Sequence, residues 1–135
     1  MKNDQTQLLF EKVKHTLENH YPKGWGGAAG VILEDGEILT SISPEFENAS
    51  SSVCMELGSY LQAATLDKKI THTLCLARES EHDKLFVLTP CGICQERLSF
   101  WGNTVECGVE LLKNHAVHYV PLSALQPYHW STVYQ

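Results

Sequence analysis

The feature that most constrains this chain is the segment TPCGICQE at residues 89–96, where a proline precedes the pair Cys91 and Cys94. A Cys-x-x-Cys pair is typical of a redox dithiol or of half a zinc site, and it can also be two unrelated core cysteines. The chain has five cysteines, an odd number. A disulfide framework is therefore not expected, and metal or thiol chemistry is favoured.

A third cysteine, Cys54, is followed two residues later by Glu56 and stands at the start of a predicted helix. Another helix is predicted after Pro90, and the three sulfurs converge if both helices begin at one edge of a sheet. Three thiolates around one divalent ion leave a fourth tetrahedral position for water, as in catalytic zinc sites. Glu56 would then lie near that open position without binding the metal.

Composition and charge limit the kind of protein. A chain of 135 residues predicts one domain over residues 1–135, and its 43% hydrophobic and 19% charged residues are ordinary for a globular protein. The net charge is −6 and the ten Lys and Arg residues form no run, so a nucleic-acid strand is not the expected partner. Because we find no signal peptide and no membrane-spanning apolar run, we expect a cytoplasmic protein without a membrane partner.

Hydrophobic periodicity and turn residues predict an α/β protein with one sheet covered by helices. A polar loop is predicted over 43–52, with serines that cap the next helix, and a helical turn with an aromatic tail is predicted after residue 121. The predicted helices are 5–20, 53–67 and 90–102, and the predicted strands are 27–33, 37–42, 71–78, 84–89, 104–112 and 116–120. The first two strands form a hairpin around Asp35-Gly36.

The combination of CME at 54–56 with PCGIC at 90–94 resembles the zinc-dependent deaminases, whose pattern is Cys or His, one residue, Glu, then Pro-Cys-x-x-Cys. The resemblance covers roughly residues 24–130 and is to the small homotetrameric cytidine deaminases and the related blasticidin-S deaminases. It implies a three-layer α/β/α fold with a mixed sheet of about five strands and helices on both faces. It also implies one Zn²⁺ per subunit on Cys54, Cys91 and Cys94, with a zinc-bound hydroxide that attacks C4 of a cytosine ring. Glu56 would shuttle the protons.

The resemblance also implies a substrate pocket. Ser43-Pro44-Glu45 falls where the family has its Asn-x-Glu ribose-binding pair, so the Asn is replaced, and Trp25 falls where an aromatic residue, usually Phe, packs beside the pyrimidine. Backbone N–H groups near residues 54 and 55 would hold the ring oxygen O2, and the segment LSALQPYHW resembles the C-terminus that closes the pocket, as a lid, a subunit interface or both. The substrate-binding residues implied in this way are Trp25, Ser43, Glu45, Met55, Tyr128 and Trp130.

Two positions depart from the family pattern. Cytidine deaminases with three thiolates commonly carry Arg after Cys-Ala-Glu and after Pro-Cys-Gly-x-Cys, and here those places hold Leu57 and Gln95. The negative charge of the site therefore needs other compensation, which we expect from backbone N–H groups and helix dipoles.

We therefore expect a zinc hydrolase that deaminates a free cytosine-type nucleoside and forms a homotetramer or homodimer. One alternative is a blasticidin-S or other modified aminopyrimidine deaminase. Another is a non-catalytic structural zinc module, whose fourth ligand would be His72 or His129. Cys75 and Cys107 lie in strand-like apolar runs and are expected to be buried core thiols.

Overall fold

One mixed sheet of six strands organises the computed structural model, which describes residues 2–134 and the side chains from residue 4 onward. The strands are β1 Gly26–Leu33, β2 Ile38–Ser41, β3 Ile70–Arg78, β4 Phe86–Val87, β5 Glu106–Leu111 and β6 Val117–Pro121. The helices are α1 Lys2–His20, α2 Leu57–Thr65, α3 Gly92–Leu98 and α4 Leu122–Leu125, with 3-10 turns at Ala49–Ser51, Ser99–Trp101 and Trp130–Tyr134. In this part of the chain no helix has the length and apolar character that a membrane crossing requires.

The strand order is β2-β1-β3-β5-β6, and β4 pairs with the last part of β3. The predicted hairpin is confirmed: β1 and β2 are antiparallel, and Gly36 in their turn has φ of 91°, a conformation that favours glycine. Among the strands described, only β3 and β5 are parallel, with His72 opposite Glu106. Parallel neighbours need a crossover, and the connection through α3 supplies it.

Helices cover both faces of the sheet, which confirms the α/β class and the mixed sheet. On one face α1 buries Leu9, Val13 and Leu17 against the sheet residues Leu74 and Leu76. On the other face a second cluster joins α2 and α3 to the sheet, and its members include Val31, Leu33, Tyr60, Ala63, Ile70, Cys94, Leu98 and Cys107. All of β1 is buried because it lies between the two layers.

Three predicted elements are shorter in the structure. The helix predicted over 53–67 begins only at Leu57, and its N-cap is Glu56 without a side-chain cap, so the prediction of capping serines was wrong. The strand predicted over 84–89 is reduced to Phe86–Val87, which pairs with Ala77 and Leu76 of β3. The helix predicted over 90–102 ends at Leu98 and continues as a 3-10 turn.

Candidate active site and metal centre

The three predicted sulfur ligands lie together in the structure. Cys54, Cys91 and Cys94 have all their Sγ atoms within 4.8 Å of one another, and the Cys54 and Cys91 sulfurs are 3.5 Å apart. Two sulfurs that each lie about 2.3 Å from one tetrahedral zinc ion are about 3.8 Å apart, so the cluster can hold one such ion. Among the residues that the structure describes, no fourth His, Cys, Asp or Glu joins the cluster.

Hydrogen bonds from β2 and the loop after it place Cys54. The Ser41 hydroxyl donates to the Met55 carbonyl at 2.7 Å, and the Ser43 hydroxyl donates to the Val53 carbonyl at 2.6 Å. The backbone N–H of Ser59 in turn donates to the Ser41 hydroxyl oxygen at 3.1 Å. Cys54 therefore lies in a turn held between β2 and α2, and no sequence pattern signalled the serine contacts that hold it.

The two cysteines of the Cys-x-x-Cys pair are in different environments. Cys94 is fully buried, and burial, followed by the charge of Glu56, raises the pKa of its thiol. Cys91 is the exposed N-cap of α3. Burial opposes ionisation there too, yet the backbone N–H groups of Cys94 and Ile93 and the Cys54 thiol hold the pKa of the Cys91 thiol below its ordinary value. Three ionised sulfurs this close need a cation among them, which fits a metal site.

Glu56 lies beside the sulfurs without belonging to their cluster. Its side chain is 5% exposed and lies close enough to Cys94 to interact with that thiol. Burial raises the pKa of the Glu56 carboxyl, and the interaction with Cys94 and the charge of Arg97 oppose that effect. A carboxyl group in this position can both accept and deliver a proton.

Arg97 is a residue of the site that the sequence analysis missed. Its Nη1 donates toward the Cys94 sulfur at 3.8 Å. The two positions where the family commonly carries arginine have other roles here: Leu57 begins α2, and the Gln95 amide donates to the Pro90 carbonyl at 2.8 Å. The available signal was the spacing, because Cys94 and Arg97 are three residues apart on one helix and so share a face.

Trp25 and Met55 meet over Gly27 of β1. A Cβ atom at Gly27 would lie 2.5 Å from the Met55 Sδ and 2.9 Å from the Trp25 ring, so only glycine fits without a shift. The preceding loop is held by the buried Arg78, which donates to the Tyr21 carbonyl and, at 3.3 Å, to the Gly24 carbonyl. Trp25 remains 49% exposed, which leaves part of its ring free to contact a ligand.

The other residues implied in the pocket lie on loops. Ser43 is half-buried, and its hydroxyl is engaged by Val53 as described above. Glu45 is exposed on the same loop.

The C-terminal segment is attached to α3. The Glu96 carboxylate accepts from His129 and, at 3.3 Å, from the Trp130 indole N–H. Tyr128 is 96% exposed and Trp130 is 67% exposed. The structure thus brings the tail to the helix that carries Cys94, with its aromatic rings facing outward.

The histidines considered as a fourth metal ligand have other contacts. His129 binds Glu96 and Ser131, and His72 contacts Thr71 and the ring of Tyr119. Cys75 and Cys107 are buried free thiols, as predicted, and burial raises the pKa of both, that of Cys107 to about 12. Neither belongs to the sulfur cluster.

Comparison with known proteins gives the family. No protein-family model and no curated protein matches the chain. The crystal structure of the cytidine deaminase from Bacillus anthracis is 49% identical, covers 96% of this chain and 91% of its own, and superposes with a TM-score of 0.91. The cytidine deaminases from Burkholderia pseudomallei (18% identical, TM-score 0.68) and Mycobacterium leprae (16% identical, TM-score 0.67) each cover 90% of this chain and 96% of their own and share the fold. The chain therefore belongs to the cytidine deaminase family of hydrolases.

Proposed function

We propose that this protein hydrolyses a free cytosine-type nucleoside, converting cytidine or deoxycytidine to uridine or deoxyuridine and ammonia. The observation that carries the proposal is the buried Glu56 beside a cluster of three cysteine sulfurs, in a chain 49% identical to a cytidine deaminase. Hydrolysis adds the oxygen of one water to C4 of the ring and releases the C4 amino group as ammonia.

Cys54, Cys91 and Cys94 would hold one Zn²⁺ per subunit. Their three sulfurs, without a fourth protein ligand among the described residues, match a site that keeps one position open for water. When bound, zinc supplies a water whose pKa is lowered to near neutrality. Because Cys91 is exposed whereas Cys94 is buried, we expect the open position to lie near the protein surface, where a small molecule can reach it.

Glu56 would move the protons. It would take one proton from the attacking water and deliver it to N3 of the ring, and would then take the second proton, from the hydroxyl now on C4, and pass it to the departing amino group. Burial favours the protonated form of its carboxyl and the neighbouring Arg97 favours the ionised form, which suits a group that must hold and release a proton in each cycle.

Substrate contacts would come from Trp25, Met55 and the loop over 43–45. The exposed part of the Trp25 ring would pack beside the pyrimidine, the backbone around Met55 would hold O2, and Glu45 would bind the sugar. Tyr128 and Trp130 would close the pocket, because the tail is already attached to α3.

One observation favours a second candidate, a deaminase of blasticidin S or another modified aminopyrimidine. The Ser43 hydroxyl donates to the Val53 carbonyl, so its only hydrogen is used within the protein. Position 43 can still accept a hydrogen bond but does not donate one to a ribose hydroxyl. The sugar end of the pocket is therefore less defined than the pyrimidine end.

We propose that the exposed aromatic surface near the C-terminal segment contacts a second copy of the chain, in a homotetramer or homodimer. Phe100, Tyr128 and Tyr134 are at least three-quarters exposed, at 76%, 96% and 82%, and exposed aromatic surface of this kind marks interfaces. Size-exclusion chromatography with light scattering measures the number of chains in the assembly.

Because the reactive thiols must stay reduced, we propose that the protein acts in the cytoplasm. The net charge of −6 gives no reason to expect a nucleic-acid strand or a membrane as partner.

The test is ammonia release from cytidine by the zinc-loaded protein, with Glu56→Gln as the paired variant. The variant should lose at least about 10²-fold to 10⁴-fold in turnover, because proton transfer is removed, while it keeps one zinc per chain. Turnover of blasticidin S but not of cytidine would select the second candidate. No turnover of any aminopyrimidine by zinc-loaded protein would leave a structural zinc module as the conclusion.

A further inference from the structure

The metal centre is short of positive charge. Three thiolates around one divalent ion leave one surplus negative charge, and an ionised Glu56 adds a second. The segments that carry these groups contain almost no cations: residues 24–67 have no Lys or Arg, and residues 85–112 have Arg97 alone. Arg97 is therefore the one cationic side chain that the site's own segments provide.

The Arg97 guanidinium lies next to the sulfur of Cys94, the most buried of the three cysteines. Arg97 Nη1 is 3.8 Å from the Sγ of Cys94, within hydrogen-bonding distance for sulfur. The Cys94 side chain is 0% exposed, so its sulfur is cut off from water, whereas Cys91 is exposed and Cys54 is half-buried. A buried anion without a partner is far more costly than an exposed one.

The neighbouring positions do not offer an alternative. Gln95 points its amide at the Pro90 carbonyl, and Leu57 is apolar. Arg78, a buried cation of β3, is bound to the carbonyls of Tyr21 and Gly24. Arg97 lies one turn beyond Cys94 on α3, and residues three apart on a helix face the same side.

We propose that Arg97 is a positioning residue of the metal site, which orients the Cys94 thiolate. This inference rests on the metal site of the proposed function. Its guanidinium donates to the Cys94 sulfur, offsets the surplus charge and fixes the direction of the thiolate. An arginine suits this place because it stays charged and its planar donors are directional, whereas lysine is a mobile point charge. In the family pattern an arginine directly after a cysteine ligand carries this positive charge. Here Arg97, one turn after Cys94 on α3, carries it instead.

The test compares wild type with Arg97→Gln, Arg97→Lys and Lys12→Gln. Lys12→Gln is the control for net charge, because Lys12 is exposed on α1, on the other face of the sheet. Zinc affinity is measured by competition with a chelator at one fixed pH. The thiolate-to-metal charge-transfer band is recorded after cobalt substitution, and melting of the metal-free proteins shows whether each variant folds.

We expect Arg97→Gln to bind zinc about 10-fold to 100-fold more weakly, the usual effect of removing a partner of a metal ligand. Its cobalt band should shift, Arg97→Lys should fall between it and wild type, and Lys12→Gln should match wild type. If Arg97→Gln does not fold, the Arg97→Lys values decide, since a lysine keeps the charge but not the directional hydrogen bond.

Equal zinc affinity and an unchanged cobalt band in the Arg97 variants would overturn the proposal. A wild-type protein that holds zinc but deaminates nothing would defeat the proposed function and leave the role of Arg97 intact. A wild type that binds no zinc at the cysteines would overturn both.

Discussion

On one face of the sheet a single helix of 19 residues packs apolar side chains against β1 and β3. On the other face the sulfur cluster and Glu56 lie at or just before the first turns of two shorter helices, of nine and seven residues. The first face is held by contacts such as those of Leu9, Val13 and Leu17. The second adds polar contacts, including the hydrogen bonds of Ser41 and Ser43 to the turn that contains Cys54. We infer that the face covered by α1 supplies stability and that the other face uses part of its packing to place reactive groups.

The largest effect is expected from replacing a cysteine of the sulfur cluster, compared with replacing a cysteine of the core. Cys91→Ala should abolish zinc binding and deamination, because two sulfurs and no fourth ligand among the described residues do not form a tetrahedral site. Zinc content per chain, measured after dialysis, reports the loss. Cys107→Ala is the control, since Cys107 is equally a cysteine but is buried away from the cluster. It should keep one zinc per chain, and loss of zinc in that variant would contradict the assigned ligand set.

The next test separates stability from activity by a pair of leucines. Leu74→Ala, on the face covered by α1, and Leu98→Ala, on α3, each remove a side chain that is at most 1% exposed. Each should lower the free energy of unfolding by about 2–5 kcal/mol, measured by denaturant titration of the zinc-loaded protein. Only Leu98→Ala should also weaken zinc binding, because Leu98 lies one turn after Cys94. Equal effects of both on zinc affinity would show that the two faces are not separable.

Elements with a local pattern could be predicted from the sequence, and elements held from a distance could not. The helix near the N-terminus, the hairpin around Gly36 and β3 were predicted nearly at their observed bounds, because periodicity and turn residues act within a few positions. The predicted start of α2 was wrong by four residues, since the turn before Leu57 is held by Ser41 of β2 and Ser43 of the following loop, which are distant in sequence.

The site divides in the same way. The grouping of Cys54, Cys91 and Cys94 followed from motif spacing, and the structure places their sulfurs together. The prediction that backbone N–H groups and helix dipoles compensate the charge did not include Arg97, because Arg97 follows Cys94 by three residues and is outside the adjacent positions where the family commonly carries arginine. The serine contacts and the attachment of the tail to Glu96 left no local signature.

A smaller effect is expected from Ser41, which joins β2 to the turn of the site. Ser41→Ala removes its hydrogen bonds to the Met55 carbonyl and to the Ser59 hydroxyl, each 2.7 Å long. Leaving these groups unpaired should cost about 1–3 kcal/mol of unfolding free energy and should raise KM more than it lowers kcat, since Met55 lies at the proposed pyrimidine end. Steady-state kinetics on cytidine check this. Thr40→Ala, on the neighbouring residue of β2, is the control and should leave KM unchanged.

Another contact on this face, the attachment of the tail to Glu96 of α3, should depend on pH. A hydrogen bond from His129, helped by a weaker one from Trp130, holds the pKa of the Glu96 carboxyl below its ordinary value of 4.5, against an opposing effect of desolvation. Because the folded pKa is lowered, the carboxylate stabilises tail docking at pH values above 4.5, and this contribution is lost as pH falls through the lowered pKa.

The measurement is the NMR chemical shift of the Trp130 indole N–H, which is assigned with Trp130→Phe. In that acid range it should change to the value of an indole N–H without its hydrogen bond. Glu96→Ala should already show the chemical shift of an indole N–H without its hydrogen bond at neutral pH. Glu79→Ala, which removes another exposed carboxylate, should keep the wild-type chemical shift. An indole resonance that is the same in wild type and Glu96→Ala would mean that aromatic packing alone holds the tail, and the site face would then be less dependent on polar contacts than its hydrogen bonds indicate.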